Sequence, residues 1–328
     1  MTDGNGSVLY VFPGQGAQYQ GMGSDLFRDF PVARRLYGEA SEILGYDLAE
    51  LSFEDPAQQL NLTRFTQPAL LTHEIACFQV YKELVGDLSP PGAAAGHSLG
   101  EYAALVAAEA LSFEDALRLV QKRGELMGEY GEGELLALPL ELEAARALAE
   151  RHYCQVASCN LPDQNVVGGA AKDISALADE MAALHPTKKA VLLKTEGAFH
   201  TNFMTTAARH FRSVLDATGM AAPKFPVLSN YTGGFHDPDV SSIKARLFFQ
   251  LFNPVNWIGC LQTAFEKGLT TCIELGGGLG SGPEPDTKRP NLAGVIKKAL
   301  RRSAQAGAHL AAINSDTIRA TASQVKRD

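Results

Sequence analysis

Residues Gly96, His97, Ser98, Leu99 and Gly100 form a G-x-S-x-G sequence, preceded by small residues and followed by the Ala- and Leu-rich stretch EYAALVAAEAL. A strand, a sharp turn carrying the serine, and a helix are the setting of a nucleophile elbow. Glycines relieve crowding at such a turn, and the helix N-terminus points backbone N–H groups at any oxyanion that develops beside the serine. The same residues permit a plainer reading. Ser98 and Glu101 also satisfy S-x-x-E, a helix-capping pattern that needs no chemistry.

A serine hydroxyl at its free pKa is a poor nucleophile, so the first reading requires a base downstream. The chain has eight histidines. His152 and His185 end predicted helices, His73 and His210 lie within helical stretches, His309 falls near the C-terminus, and His97 is expected to point away from Ser98 across the turn. His200 and His236 remain, both on loops, and His200 follows a strand in the short segment Gly197, Ala198, Phe199. No Asp or Glu stands out as its orienting partner.

A third chemical group is out of place on its helix. Between Phe113 and Met127, apolar side chains recur at helical spacing through Ala116, Leu117, Val120 and Gly124, and Arg123 falls on the edge of that stripe. A guanidinium turned towards a core needs a carboxylate or a bound anion. An internal salt bridge, a snorkelling side chain and an anionic substrate all satisfy that requirement.

The elements that must position these groups follow from periodicity. The run VLYVF at 8–12 stops at Pro13 and Gly14, a buried strand entering the loop PGQGAQYQGMG. Ser112 and Asp115 open the helix that carries Arg123. From 134 to 195 the pattern becomes β-α-β-β-α-β, the ferredoxin-like order, so 131–195 is expected to be an inserted small domain. The flanking pieces, 1–130 and 196–302, form one discontinuous α/β domain with a parallel sheet, including a strand-like FPVLSN and an ending strand at TTCIELGGG. Residues 276–290 read as a long irregular loop, and 303–328 as a tail or peripheral helix.

Composition excludes several classes. The 328 residues are 45% hydrophobic and 20% charged, which fits a folded protein with a large core rather than a disordered or disulfide-stapled one. Lys and Arg number 29 against 37 Asp and Glu, a formal charge of −8, so general attraction to nucleic acid or anionic lipid is not expected. No apolar run reaches the ~18 residues of a membrane helix, and Asp3 stands where a signal peptide carries Lys or Arg. The expected location is the cytoplasm. The five cysteines show no CxxC or zinc-ligand spacing and read as reduced, buried thiols.

With Ser98, His200, Arg123 and the PGQGAQ loop in place, the sequence resembles the malonyl-CoA:acyl carrier protein transacylases, including the acyltransferases of fatty acid and polyketide synthesis. The resemblance runs from about Val8 to Arg302 through FPGQGAQYQGMG, TQPAL, GHSLGEYAAL, RLVQKRGELM, GAFHTNFM, QLFNPVNW and IELGGG, in the family's order. It implies a hydrolase-like α/β domain with an inserted ferredoxin-like domain and an active site between them. By that resemblance Ser98 is the acyl-accepting nucleophile, His200 its base, and the amides of Gln15 and Leu99 the oxyanion hole. Arg123 grips the malonate carboxylate, the main-chain carbonyl of Gln250 orients the histidine, Phe199 favours malonyl over methylmalonyl, and Gln67 and Asn160 are polar positions around the pocket. The implied partners are malonyl-CoA and an acyl carrier protein bearing phosphopantetheine, in a two-step exchange without metal or redox cofactor. The chain departs from the family at Thr201, where serine is common, and at Gly277, where ELGPG is common.

A free-standing chain of this kind serves fatty acid synthesis or acts in trans on a polyketide assembly line. An editing acyl hydrolase, a transferase for another acyl group and a non-catalytic carrier-binding scaffold are the competing readings. Carrier proteins of the family are acidic, so docking is expected on the basic cluster Lys297, Lys298, Arg301 and Arg302.

Overall fold

The computed structural model describes residues 8–282 and 284–327. The acidic start around Asp3 and residue 283 of the Gly- and Pro-rich loop lie outside the described residues. Four strands, β1 (Val8–Phe12), β2 (Ala93–Gly96), β7 (Thr271–Leu275) and β8 (Ala308–Ala312), form a parallel sheet in the order β2-β1-β7-β8. A parallel strand covered on both faces reads as a continuous apolar run, and Leu9 through Phe12 are all buried.

This order fixes the site. β1 and β2 are neighbours with Phe12 beside Gly96, so the loop holding Gln15 and the turn holding Ser98 leave the sheet side by side at its carboxyl edge. Open α/β sheets bind ligands in the crevice beyond that edge. Backbone approach there is too tight for side chains. A Cβ on Gly96 would fall 1.8 Å from the Gly100 carbonyl carbon, and one on Gly100 would fall 2.3 Å from the Phe12 carbonyl oxygen.

A second, antiparallel sheet joins β3 (Glu134–Leu138), β4 (Gln155–Leu161), β5 (Gln164–Gly169) and β6 (Val191–Leu193) in the order β4-β5-β3-β6. Helices Leu142–Arg151 and Ala171–Leu184 pack on it, which is the ferredoxin-like arrangement expected from the sequence. Its own apolar cluster includes Leu136, Leu148, Val167, Leu177 and Met181. A bridge between Ser158 and Val255 ties β4 to the rest of the chain.

Two expectations fail. The C-terminal stretch is not a tail: Ala308–Ala312 extends the parallel sheet as edge strand β8, and only Ser315–Val325 is the expected helix. His309 explains part of this, because its Nε2 lies 2.7 Å from Oε2 of buried Glu274 on β7. FPVLSN forms only isolated bridges, Ala94 with Val227 and Leu228 with Phe235. Among the described residues no helix is long and apolar enough to cross a membrane.

Candidate active site

Ser98 sits at the turn between β2 and the helix Gly100–Ala107 with φ of 52°. A non-glycine residue in the left-handed region is strained and persists where surrounding contacts over-determine it. Here the Ser98 amide donates to Oδ1 of Asn230 at 2.6 Å, while Asn230 Nδ2 donates to the Gly96 carbonyl at 2.7 Å. One asparagine side chain thus staples both arms of the elbow.

His200 also has positive φ, 64°, and comes from the loop ahead of the helix Thr205–Ala217. Its Nδ1 lies 2.7 Å from the main-chain carbonyl of Gln250, and its Nε2 lies 2.7 Å from Ser98 Oγ. A carbonyl only accepts, so Nδ1 carries the proton, Nε2 is the free lone pair, and the serine hydroxyl donates to it. Burial foremost, then the Arg123 cation, pushes the His200 pKa down to about 3. The imidazole is therefore neutral at pH 7 and ready to accept a proton.

Arg123 lies on the helix Phe113–Glu129 and is 1% exposed. Gly124 lets this helix approach the helix Thr63–Val85 closely, since a Cβ there would fall 2.6 Å from the Thr63 carbonyl oxygen. That approach brings Arg123 to Gln67. Nη1 donates to Gln67 Oε1 at 2.9 Å, and Nη2 donates to Gln250 Oε1 at 3.0 Å and Ser98 Oγ at 3.2 Å. No carboxylate pairs with it among the described residues, and its Nε has no hydrogen-bond partner. The Tyr102 ring lies 5.5 Å from the guanidinium carbon, and burial lowers the arginine's pKa. The internal salt bridge and the snorkelling side chain are both excluded by these contacts.

These groups open on one cavity of about 280 Å³. Gln15, Ser98, Leu99, Arg123, Asn160, Phe199 and His200 all line it, with Met127, Leu135, Val166 and Leu193 as apolar wall. The amides of Gln15 and Leu99 donate to no protein acceptor among the described residues. Gln67 and Gln250 are not wall residues; they lie behind Arg123 and hold it.

The structure revises other readings. His97 makes no side-chain hydrogen bond to Ser98 among the described residues, yet it lines the same cavity, its Nε2 2.9 Å from Asn160 Oδ1 and its ring edge-on to Trp257. Ser158 Oγ donates to the same Asn160 oxygen at 2.7 Å. His236, the other candidate base, is buried against Glu101 at 2.7 Å. Glu101 caps nothing; its two oxygens receive His236, the Asn230 amide and Gln250 Nε2. Asn230 escaped the sequence reading, and Glu101 entered it only as a possible helix cap, though an asparagine ending the apolar run FPVLS was a usable signal. Thr201, at the position where the resemblance leads to an expectation of serine, keeps a hydroxyl, which donates to the Ala198 carbonyl at 2.5 Å. The basic cluster is half occupied: Asp163 Oδ2 lies 2.7 Å from Lys298 and 3.1 Å from Arg302, leaving Lys297 and Arg301 exposed and without a carboxylate partner among the described residues.

Known proteins share this architecture. A sequence profile described as acyl transferase domain matches residues 9–276. The malonyl CoA-acyl carrier protein transacylase of Bacillus subtilis strain 168 is 40% identical over 304 residues, covering 90% of this chain and 91% of its own. The polyketide biosynthesis malonyl CoA-acyl carrier protein transacylase of the same strain is 38% identical, covering 83% and 93%. A solved type II polyketide malonyl-transacylase in complex with its acyl-carrier protein superposes with a TM-score of 0.85 at 31% identity, over 97% of this chain and 99% of that one. On the strength of the elbow, the buried arginine and these likenesses together, the chain belongs to the acyl transferase family, among the malonyl-CoA:acyl carrier protein transacylases.

Proposed function

We propose that the chain transfers a malonyl group from malonyl-CoA to the phosphopantetheine thiol of an acyl carrier protein, through an ester on Ser98. The observation that carries this reading is Arg123, a buried cation without a carboxylate partner among the described residues, one hydrogen bond from the nucleophile. A buried, unpaired guanidinium is costly, and a substrate carboxylate removes that cost.

In the first half-reaction Ser98 Oγ attacks the thioester carbonyl while His200 Nε2 takes its proton. The carbonyl oxygen becomes an oxyanion facing the unengaged amides of Gln15, on the loop after β1, and Leu99, at the helix N-terminus. Collapse breaks the carbon–sulfur bond, and His200 returns the proton to the departing CoA thiolate. In the second half-reaction His200 deprotonates the carrier's pantetheine thiol, which takes the malonyl group from Ser98, and the proton ends on the serine oxygen. The Gln250 carbonyl on Nδ1 holds the tautomer that both halves need and stabilises the transient imidazolium. The chemistry uses only these side chains and the prosthetic group that the partner brings. A cytoplasmic address fits five cysteines that are all unpaired and buried.

Incubation with malonyl-CoA, followed by intact mass, is expected to show one malonyl group on Ser98, discharged by holo carrier protein. Discharge to water instead identifies the editing hydrolase. No adduct with any acyl-CoA leaves only the scaffold.

A further inference from the structure

We propose that Glu101 is a positioning residue that fixes the orientation of the Gln250 side-chain amide and, through it, the aim of Arg123. The proposal rests on the malonyl-transfer reading and deepens it. Glu101 is wholly buried on the first turn of the helix after the elbow. Three donors converge on its carboxylate: His236 Nε2 at 2.7 Å on Oε1, and the Asn230 amide at 3.0 Å and Gln250 Nε2 at 2.8 Å on Oε2.

A carboxylate receiving three donors acts only as an acceptor, so the end of the Gln250 amide that faces it must be the NH2 group. The second hydrogen of that NH2 is taken by the Ser98 carbonyl at 3.0 Å. The opposite end, Oε1, then faces Arg123 Nη2 at 3.0 Å, and a guanidinium only donates. Reversing the amide sets oxygen against two acceptors and NH2 against a cation. The polarity runs one way, from acceptor through amide to donor.

This arrangement solves a conflict in the site. A carboxylate bonded directly to Arg123 would offset its charge but would compete with the substrate carboxylate for the same donors. With the Gln250 amide between them, Glu101 supplies negative charge near the buried cation without touching the guanidinium, and Nε has no hydrogen-bond partner among the described residues. Gln67 Oε1, another neutral oxygen, holds Nη1 at 2.9 Å. Gln250 meanwhile orients His200 through its main-chain carbonyl, so Glu101 braces the cation and the base through a single residue.

The test compares malonyl-CoA with acetyl-CoA as donors in rapid-mixing measurements of the Ser98 ester. Glu101→Gln keeps the shape but supplies an NH2 of its own, which permits the Gln250 amide to reverse. The expected result is a fall of about tenfold or more in the malonyl-to-acetyl ratio of specificity constants, the size of one charged hydrogen bond, with a raised KM for malonyl-CoA. Gln250→Met keeps the main-chain carbonyl on His200 while deleting the amide, and is expected to lower the ratio likewise; it carries the test if Glu101→Gln fails to fold. A merely structural role lowers both donors equally. An unchanged ratio in a folded variant overturns the proposal, whereas a wild-type chain that accepts acetyl but no malonyl overturns the functional reading instead.

Discussion

Nη2 of Arg123 lies 3.2 Å from Oγ of Ser98, so the buried cation and the nucleophile touch before any substrate arrives. A malonyl thioester carries its carboxylate two carbons from the carbonyl under attack. On the malonyl-transfer proposal, both ends of that short chain are served by adjacent groups, and carboxylate binding doubles as alignment of the reacting carbon.

Arg123→Ala is expected to lower malonyl transfer on the order of a hundredfold or more, since charged hydrogen bonds contribute roughly 1.5 to 3 kcal/mol each. Acetyl transfer has no carboxylate to lose and is expected to be retained or improved. Steady-state specificity constants for the two donors check this, and a ratio that does not move removes the physical basis for malonyl selection.

The second prediction concerns pH. The His200 pKa is pushed down to about 3 by burial and by Arg123. Because only the neutral imidazole can accept the Ser98 proton, acylation is expected to stay flat from pH 7 down to about 5. In Arg123→Ala a positive neighbour is gone, the imidazolium is easier to form, and the acid limb moves to higher pH with acetyl-CoA as donor. Stability follows the same sign. Below the ordinary histidine value of 6.5 the unfolded chain binds a proton that folded His200 refuses, so stability falls from about pH 6.5 towards 3. His73, pushed down to about 4 by burial, adds to that loss. A wild-type acid limb at pH 6 to 7 contradicts the neutral buried base.

Sequence made the elbow legible because its constraint is local: glycines flank a serine between a strand and a helix, and periodicity reveals both. The small antiparallel sheet was equally readable from alternating strands and amphipathic helices. What stayed hidden depends on distant partners. Glu101 reads as a helix cap until His236, 135 positions later, is seen against it. The free state of Arg123 required knowing that Gln67 and Gln250, rather than any acid, surround it. β8 was missed because AHLAA has little alternation and its pairing with β7 crosses more than thirty residues.

Docking of the carrier protein gives the third prediction. Lys298 and Arg302 are already engaged by Asp163, which leaves Lys297 and Arg301 as the exposed cations of their helix that no carboxylate pairs with among the described residues. Reversing Lys297 and Arg301 to Glu is expected to raise the KM for carrier protein severalfold and leave that for malonyl-CoA unchanged, with the effect shrinking at high salt. Equal changes for both substrates, or none, exclude this helix as the contact.

Backbone approach at the elbow supplies the fourth. Gly100→Ala places a methyl 2.3 Å from the Phe12 oxygen and 2.4 Å from the Pro13 oxygen, neither of which is a flexible side-chain end. The helix N-terminus must move away from β1, and with it the Leu99 amide. The expected outcome is a lowered melting temperature, together with a kcat loss larger than that of Gly294→Ala, where, among the described residues, nothing beyond its own stretch of helix lies within 4 Å of the added carbon. Equal behaviour of the two variants contradicts the close-packed elbow.

Phe199 gives the last. It lines the cavity directly before His200 and is 5% exposed, so on the malonyl-transfer proposal its ring takes up volume beside the acyl group. An α-methyl on malonate needs space on the wall of a cavity of only about 280 Å³. One methyl in an apolar pocket changes discrimination by about 1 to 3 kcal/mol, a factor of roughly ten to two hundred. The wild type is therefore expected to prefer malonyl over methylmalonyl, and Phe199→Ser to shift the ratio towards methylmalonyl within that range. Truncating a buried ring also costs about 3 to 5 kcal/mol of stability, so the comparison belongs below the variant's melting transition. Competition between the two donors in one reaction reads the ratio directly and cancels any loss of active enzyme. Should the variant keep the wild-type ratio, the ring is ordinary wall packing and selection against the methyl lies elsewhere in the cavity.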